Sequence, residues 1–508
     1  MKKTFFKSLM IAALIVPTFT ACELDQYPTT SIPGEKSWEK PSDATNFHKG
    51  LYSTLRSLAG TGYLWGDIMM DYFQPTISYG NRGGLLYTWT YSANDVGGPW
   101  ASGYSAISDC NYYLTNVDKI DYTKSTDRAT DSILLRQYKG EAYFIRAMAY
   151  SNIVSYYCRA YDAGTAATTR GLPLLTKVDV SAKPRSANLK ATYEFILNDL
   201  KMADDLLQAD GPDEDAAVGV LINKTMTKAL RARVLLNMGD YANALAEAEA
   251  LINSGHFALA NSANALKDMW INDQGSEFIY VPAGTPDERY EYGTSVNGNN
   301  FHAYSTAAGA FTPDWIPSKE TVDMYSTNDW RTKFYLDPKD VKCQDQKASN
   351  VALFNKFLNN PNLGKKGDSK YAQYSLPKLF RIAETYLIAA EAAYRLNNAA
   401  KAQQYLNALR TKRGLLATSE TGESLAKEIR LEWKREFMGE GMYFLVLKRW
   451  GLGFTRNAAT QTGAANIVYS ANASANIGLT VEPTFHDNWT FDIPTQEKEM
   501  NPNVELFD

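Results

Sequence analysis

Apolar residues recur three and four positions apart over 42–58, 101–117, 131–158, 191–208, 222–238, 241–254, 377–397, 399–413 and 423–439. That period predicts a mostly α fold of helical hairpins separated by long loops. The clearest hairpin reads RIAETYLIAAEAAYRLNNAAKAQQYLNALRTKRG from Arg381 to Gly414. Alanine at i, i+3 and i+4 lets two helix backbones approach closely, which suits one unit of a helical array. An earlier stretch, MTKALRARVLLNMGDYANALAEAEALI, aligns with it at constant offset, placing Ala232 on Ala390, Met238 on Leu396, Ala244 on Ala402 and Leu251 on Leu409. With its Gly239-Asp240-Tyr241 turn followed by Ala244 and Ala248, it has the small-residue pattern of a tetratricopeptide-like unit. Because the two copies lie far apart in the chain, the array must be interrupted by excursions, and those are where function is expected.

Two stretches break the period, about 60–100 and 255–377, both rich in Asn, Gly, Pro and aromatics. A structureless loop as long as the second does not fit a compact domain, so few, short strands packed on the helical face are expected there. At the other extreme, Lys2, Lys3 and Lys7 precede an apolar run from Leu9 to Phe19 that is too short to span a bilayer and ends at Thr20-Ala21-Cys22. This reads as a lipoprotein signal peptide, residues 1–21, with Cys22 as the lipidated residue and 22–41 as a polar, Pro-bearing tether. The remainder is expected as an N-terminal helical part, 42–265, and a C-terminal part, 266–508, packed as one body. No later stretch offers 18 consecutive apolar residues. Cys110, Cys158 and Cys343 are odd in number and match no zinc or disulfide spacing, so buried thiols are expected.

The net charge of −4, from 52 basic and 56 acidic residues of interspersed sign, argues against nucleic acid as partner. Histidines at 48, 256, 302 and 486 are scattered, and there is no HExxH, GxSxG, phosphate loop or paired CxxC. No catalytic residue, metal or cofactor is therefore expected. Arg381, Glu384, Glu391, Arg410, Arg413, Glu432, Arg435, Glu436 and Arg449 fall at near-helical spacing and read as packing salt bridges. The Asp287-Glu288-Arg289 run reads as a solvated loop.

Aromatic residues, at 12%, exceed what helices favour, and ten of the 42 positions from Tyr63 to Tyr104 carry rings. Another six lie between 287 and 316, interleaved with Asn297, Asn299 and Asn300. A flat ring edged by amides or charges matches a pyranose, which has an apolar face and a rim of hydroxyls. Each such ring contributes about 1–3 kcal/mol.

In order and spacing, several pieces resemble the SusD/RagB family of surface glycan-binding lipoproteins. They are the Cys22 start; Trp100, Tyr104, Ile107 and Asn111; GEAYFIRAMAYSNIVSYY at 140–157; Gly171-Leu-Pro-Leu-Leu175; the 192–207 and 227–255 blocks; Arg381 through Arg449-Trp450; and Phe491-Asp-Ile-Pro494. The chain departs from the family where Tyr443 and Val446 stand in place of a common Arg and Asp. The resemblance implies a SusD-like scaffold, lipid-anchored in the outer membrane through Cys22. It further implies that the protein captures glycan as the lid of a SusC-like TonB-dependent outer-membrane transporter. It places ring platforms at Trp89, Trp315, Tyr290 and Tyr292, with polar edges at Asn81, Arg82 and Asn94. A peptide or other nutrient binder, a glycoside hydrolase and a surface-assembly protein remain as alternatives.

Overall fold

The computed structural model describes residues 37–507 apart from 61–64, 122–124, 208–220, 290–300, 458, 470–478 and 483–488. The signal peptide, Cys22, most of the tether, Tyr290 and Tyr292 therefore lie outside the described residues. In chain order the helices are α1 (Pro41–Gly60), α2 (Trp65–Met69), α3 (Gly84–Thr88), α4 (Gly98–Asn116), α5 (Arg128–Tyr157), α6 (Leu189–Leu206), α7 (Lys224–Asn237) and α8 (Tyr241–Asn253). There follow α9 (Ala263–Asn272), α10 (Lys319–Asp323), α11 (Ile382–Arg395), α12 (Ala399–Thr411), α13 (Gly422–Glu436), α14 (Met442–Trp450) and α15 (Thr495–Met500). Strands are short: β1 (Phe73–Pro75), β2 (Phe278–Tyr280), β3 (Tyr304–Ser305), β4 (Ala310–Phe311), β5 (Trp315–Pro317), β6 (Leu336–Cys343), β7 (Gln346–Phe354), β8 (Phe380–Arg381), β9 (Phe454–Thr455) and β10 (Thr480–Val481).

Several helices begin where a short polar side chain can take an otherwise unpaired amide. Asn188 accepts from Ala191 N at 2.9 Å, Ser262 from Ala265 N at 3.1 Å and Asn398 from Lys401 N at 3.1 Å. Each such cap contributes about 1 kcal/mol. The repeated hairpins share their turn chemistry as well as their alanines: Gly239 and Asn397 both adopt positive φ, 73° and 60°, and Asp240 and Asn398 are the caps that follow. The array is continuous in space although broken in sequence. α8 packs on α7 and on α11, and α11 on α12, so the two copies stack directly. Ala232, Ala244, Ala248, Ala390 and Ala402 sit fully buried at these crossings.

The long excursion builds α9, the β2–β8 pair and a four-stranded sheet of order β3-β4-β6-β7. A separate apolar cluster, with Phe311, Ile316, Val341, Val351, Leu353, Ile467 and Val468, gives this sheet its own small core. A buried ionic network grips the excursion against α13. Glu436 accepts from Arg413 at 2.9 Å, Arg381 at 2.7 Å and Arg331 at 3.0 Å. Arg413 also pairs with Glu277 at 2.8 Å, and Lys356 with Glu440 at 2.6 Å. Burial alone would raise the Glu436 carboxyl, but Arg413, Arg381 and Arg331 outweigh it and hold it well below the usual carboxylate range. Glu440 reaches the network because Gly439 turns the chain at φ 83°. A Cβ there would lie 2.2 Å from the Phe354 ring.

The charged positions read as structural are thus structural, with Arg233–Glu384 at 2.6 Å, Arg449–Glu391 at 2.7 Å, Arg410–Glu428 at 2.6 Å and Arg435–Glu432 at 3.3 Å completing the set. Val446 is buried and Tyr443 half-buried in α14, so apolar contacts replace the absent pair. All three described cysteines are free and buried. Among the described residues no helix is long and apolar enough to cross a membrane.

The first aromatic stretch requires a correction. Tyr72, Phe73, Tyr79 and Tyr87 are core residues rather than a displayed surface, and Trp100, at helical spacing in α4, is core as its spacing implies. With little helix of its own, this segment contributes to the core through large rings, each covering roughly 150–250 Å². Those rings meet others supplied by the C-terminal segment, where Phe444, Trp489 and Phe491 form the continuation of the cluster.

Candidate functional site

The two aromatic-rich stretches, far apart in the chain, meet directly. β1 pairs antiparallel with β5, placing Phe73 opposite Pro317 and Pro75 opposite Trp315. Beyond β1 the chain turns sharply through Gly80, Asn81 and Gly83, at φ 56°, 59° and 70°. This turn aims Arg82 back at Asp314. The guanidinium binds that carboxylate in a two-point fork, with Nε to Oδ2 at 2.7 Å and Nη2 to Oδ1, and Nη2 also donates to the Ser78 carbonyl at 3.1 Å. The Arg82 side chain is 44% exposed and its carboxylate partner 1%. Among the described residues Nη1 takes no partner. Asn81 is exposed, and its Oδ1 accepts from the Tyr79 hydroxyl at 3.2 Å.

Trp315, expected as a platform, is completely buried beneath Tyr79 and Tyr87, whose ring centroids lie 5.7 and 5.2 Å away. Its place on β5, paired to β1 on one side and covered by these rings on the other, turns it into the support for the face. Trp89 stands half-buried at the C-terminal cap of α3, with φ 58°; its indole donates to the Met69 carbonyl at 2.7 Å and packs edge-on to Trp489 at 5.1 Å. Asn94 lies exposed in a turn closed by Ser92 and Asp95. The structure thus brings Asn81, Arg82 and Trp315 together, while Trp89 packs on the C-terminal cluster. The Asp287–Arg289 segment is pinned rather than loose. Arg289 pairs with Asp368 at 2.6 Å and lies 3.5 Å over the Tyr374 ring.

A second feature lies at the four-stranded sheet. A hollow of about 450 Å³ opens there, walled by Phe311 and Tyr371 and floored by His302, Asp337, Asn355 and Gln373. Tyr304 stacks on Tyr371 with centroids 3.8 Å apart and ring planes at 23°. The Tyr304 hydroxyl, followed by Lys370, holds the Tyr371 phenol below its ordinary value. His302 Nε2 bonds Asp337 Oδ2 at 2.8 Å, and Lys339 Nζ pairs with Oδ1 at 2.8 Å. Burial pushes the Asp337 carboxyl up, but His302 and Lys339 outweigh it, so the group remains a carboxylate at neutral pH.

The floor carries unmet hydrogen-bonding capacity. His302 is 5% and Gln373 8% exposed, yet His302 Nδ1 and Gln373 Oε1 have no partner among the described residues. Buried polar atoms are normally paired, so two unpaired ones lining the same hollow mark places for a ligand or ordered water. The hollow and the junction are linked through the chain: Phe311, which lines the hollow, precedes Asp314 by three residues, about 10 Å of extended chain. The β6–β7 turn also bonds the junction loop, from Gln344 Nε2 to the Ile77 carbonyl at 2.6 Å.

Sequence reading named the rings of Tyr304 and Phe311 as part of an aromatic stretch but did not single out His302, Asp337, Tyr371 or Gln373. No local pattern marks them, since each acquires its role only when β6, β7 and the 359–374 segment close around β3 and β4.

A sequence profile described as the SusD family matches residues 192–505, and one described as starch-binding, associating with the outer membrane, matches residues 61–236. The chain is 24% identical over 455 residues to SusD-like protein P38 of Formosa agariphila, covering 82% of this chain and 83% of that one. In fold it is similar to a SusD superfamily protein from Bacteroides thetaiotaomicron, with TM-score 0.73, 23% identity, and coverage of 92% of this chain and 99% of that chain. It is also similar to surface glycan-binding protein A from Bacteroides uniformis, with TM-score 0.67, 18% identity and coverage of 91% and 98%.

Proposed function

The chain belongs to the SusD family, and from that premise we propose that it captures oligosaccharide on the β-lobe formed by the hollow and the Arg82–Asp314 junction linked to it. The observation that carries this reading is the hollow itself. Tyr371, backed by Tyr304, offers a flat apolar wall, and the floor below it presents hydrogen-bonding atoms with no partner of their own. A sugar meets both needs, laying its CH face on the ring and its hydroxyls on His302 and Gln373. Asn81 and the remaining Arg82 donors extend polar contacts along the chain of the glycan. Trp89, Asn94, Tyr290 and Tyr292 are proposed as further contacts, with Trp315 in a supporting position.

Two or three rings at about 1–3 kcal/mol each, less the cost of ordering the ligand, give micromolar to millimolar affinity. That range suits capture followed by release. Binding without turnover, as a non-enzymatic receptor, fits such a surface. The signal-like start with Cys22, together with the match to a family described as associating with the outer membrane, supports tethering by lipid at the cell surface. There the protein would act as lid to a SusC-like TonB-dependent transporter and pass glycan into its barrel.

The test is affinity electrophoresis of the chain from residue 23 onward against a panel of polysaccharides. Retardation by at least one glycan, weakened about tenfold or more by Tyr371→Ala at unchanged thermal stability, is expected. Release of reducing sugar by the same preparation would instead favour a hydrolase. Co-purification of the full-length protein with an outer-membrane barrel tests the lid role independently.

A further inference from the structure

Resting on the reading that the hollow holds a sugar, we infer that the sugar is anionic, carrying a uronate carboxylate or a sulfate ester. The argument is one of local charge. Three lysines line the hollow, Lys267, Lys339 and Lys370, and the only carboxylate among its described lining residues is Asp337. That carboxylate is already engaged on both oxygens, by His302 at 2.8 Å and Lys339 at 2.8 Å. Lys267 and Lys370 are therefore in excess. Neither has a carboxylate partner among the described residues; Lys370 instead hydrogen-bonds the Tyr371 phenol, with its Nζ 4.9 Å from that ring's centroid.

This surplus stands against the trend of the whole chain, which is net −4. Some lysines elsewhere are placed against carboxylates, as Lys401 is with Glu249 at 2.7 Å and Lys319 is with Asp323 four residues on; what sets Lys267 and Lys370 apart is that both line one hollow. Two uncompensated ammonium groups at the mouth of a concave, ring-walled site focus a positive potential where a ligand must enter. The floor supplies the rest of the recognition, because His302 Nδ1 and Gln373 Oε1 are buried, unpartnered and suited to hydroxyl groups. A neutral sugar would use the wall and the floor and leave the lysines idle. An anionic one uses all three.

The deciding experiment compares four polysaccharides in affinity electrophoresis and calorimetry with the chain from residue 23 onward: polygalacturonate and alginate as carboxylate arms, carrageenan as the sulfate arm, and amylopectin as the neutral arm. At least one acidic arm is expected to bind tenfold or more tightly than the neutral one, with affinity falling as salt rises from 50 to 500 mM. The double variant Lys267→Glu/Lys370→Glu, at one half-buried and one exposed position, is expected to abolish that preference and its salt dependence while leaving the protein folded with a cooperative melt. Retention by amylopectin alone, or acidic binding undiminished in the double variant, would overturn the anionic assignment and leave glycan capture standing. Failure of all four, together with a wider neutral panel, would bring down the glycan reading and this inference with it.

Discussion

Around Glu436, charge is enclosed and matched: three guanidinium groups converge on one carboxylate, all of them fully buried. Around Asp337, some of the same residue types form a half-open group with lysines in excess and two buried polar atoms unpaired. Both groups serve the same excursion. The first fixes it to the helical array, with both oxygens of Glu436 taken up by arginines; the second leaves bonding capacity that the protein itself does not use. Saturation, more than residue type, separates a structural cluster from a binding one.

The contrast is broken most forcefully at Glu436. Glu436→Gln removes the charge that three arginines share, and a buried network missing one partner loses about 3–5 kcal/mol. Urea denaturation should show that loss, with glycan binding retained in whatever fraction still folds. Trp315→Ala should cost a similar 3–5 kcal/mol, since its ring is completely buried. Trp89→Ala, at a half-buried position, should cost less than half as much and weaken glycan binding more than stability. Equal melting temperatures for the two tryptophan variants would contradict the placement of Trp315.

pH sharpens the comparison next. Glu436 has a folded pKa below its unfolded value, so its contribution is complete above roughly pH 4.3 and is lost as pH falls through the depressed value. Burial pushes Lys356 down to about 8, against the opposing pull of Glu440. Between about pH 8 and 10 the unfolded chain then holds more protons on this lysine than the folded one, so stability should rise with pH across that window. Lys356→Met should flatten the rise in denaturation midpoints measured at fixed salt. The last test is at the junction. Arg82→Ala removes the forked partner of Asp314, which is only 1% exposed, so a stability loss of about 1–3 kcal/mol, below that at Glu436, should accompany the drop in affinity for glycan.

Much of the scaffold was legible before any coordinates. The predicted helices over 42–58 and 399–413 emerge as Pro41–Gly60 and Ala399–Thr411, and the aligned alanines of the two hairpins lie at their crossings. What escaped were short elements such as α2, α3 and α10, too brief to display a period, while the helical run read from Glu428 to Trp450 is split into α13 and α14 where Gly439 and Gly441 take positive φ. The candidate site was only partly legible. Asn81 and Arg82 do stand at the meeting of the two aromatic stretches, but an abundance of rings says nothing about which way each one faces. Trp315 and Tyr371 look equally available in the sequence; strand pairing with β1 buries the first, and the rim of the hollow exposes the second.

The amino-acid order by itself determined the helical array, its repeated hairpin and the structural part played by its charged positions, because helix periodicity, caps and small-residue crossings are written within a few residues of one another. Only the tertiary structure decided where a ligand can sit. Lys267, His302, Asp337 and Tyr371 come from four separate segments, and their shared hollow exists only once those long-range contacts have closed.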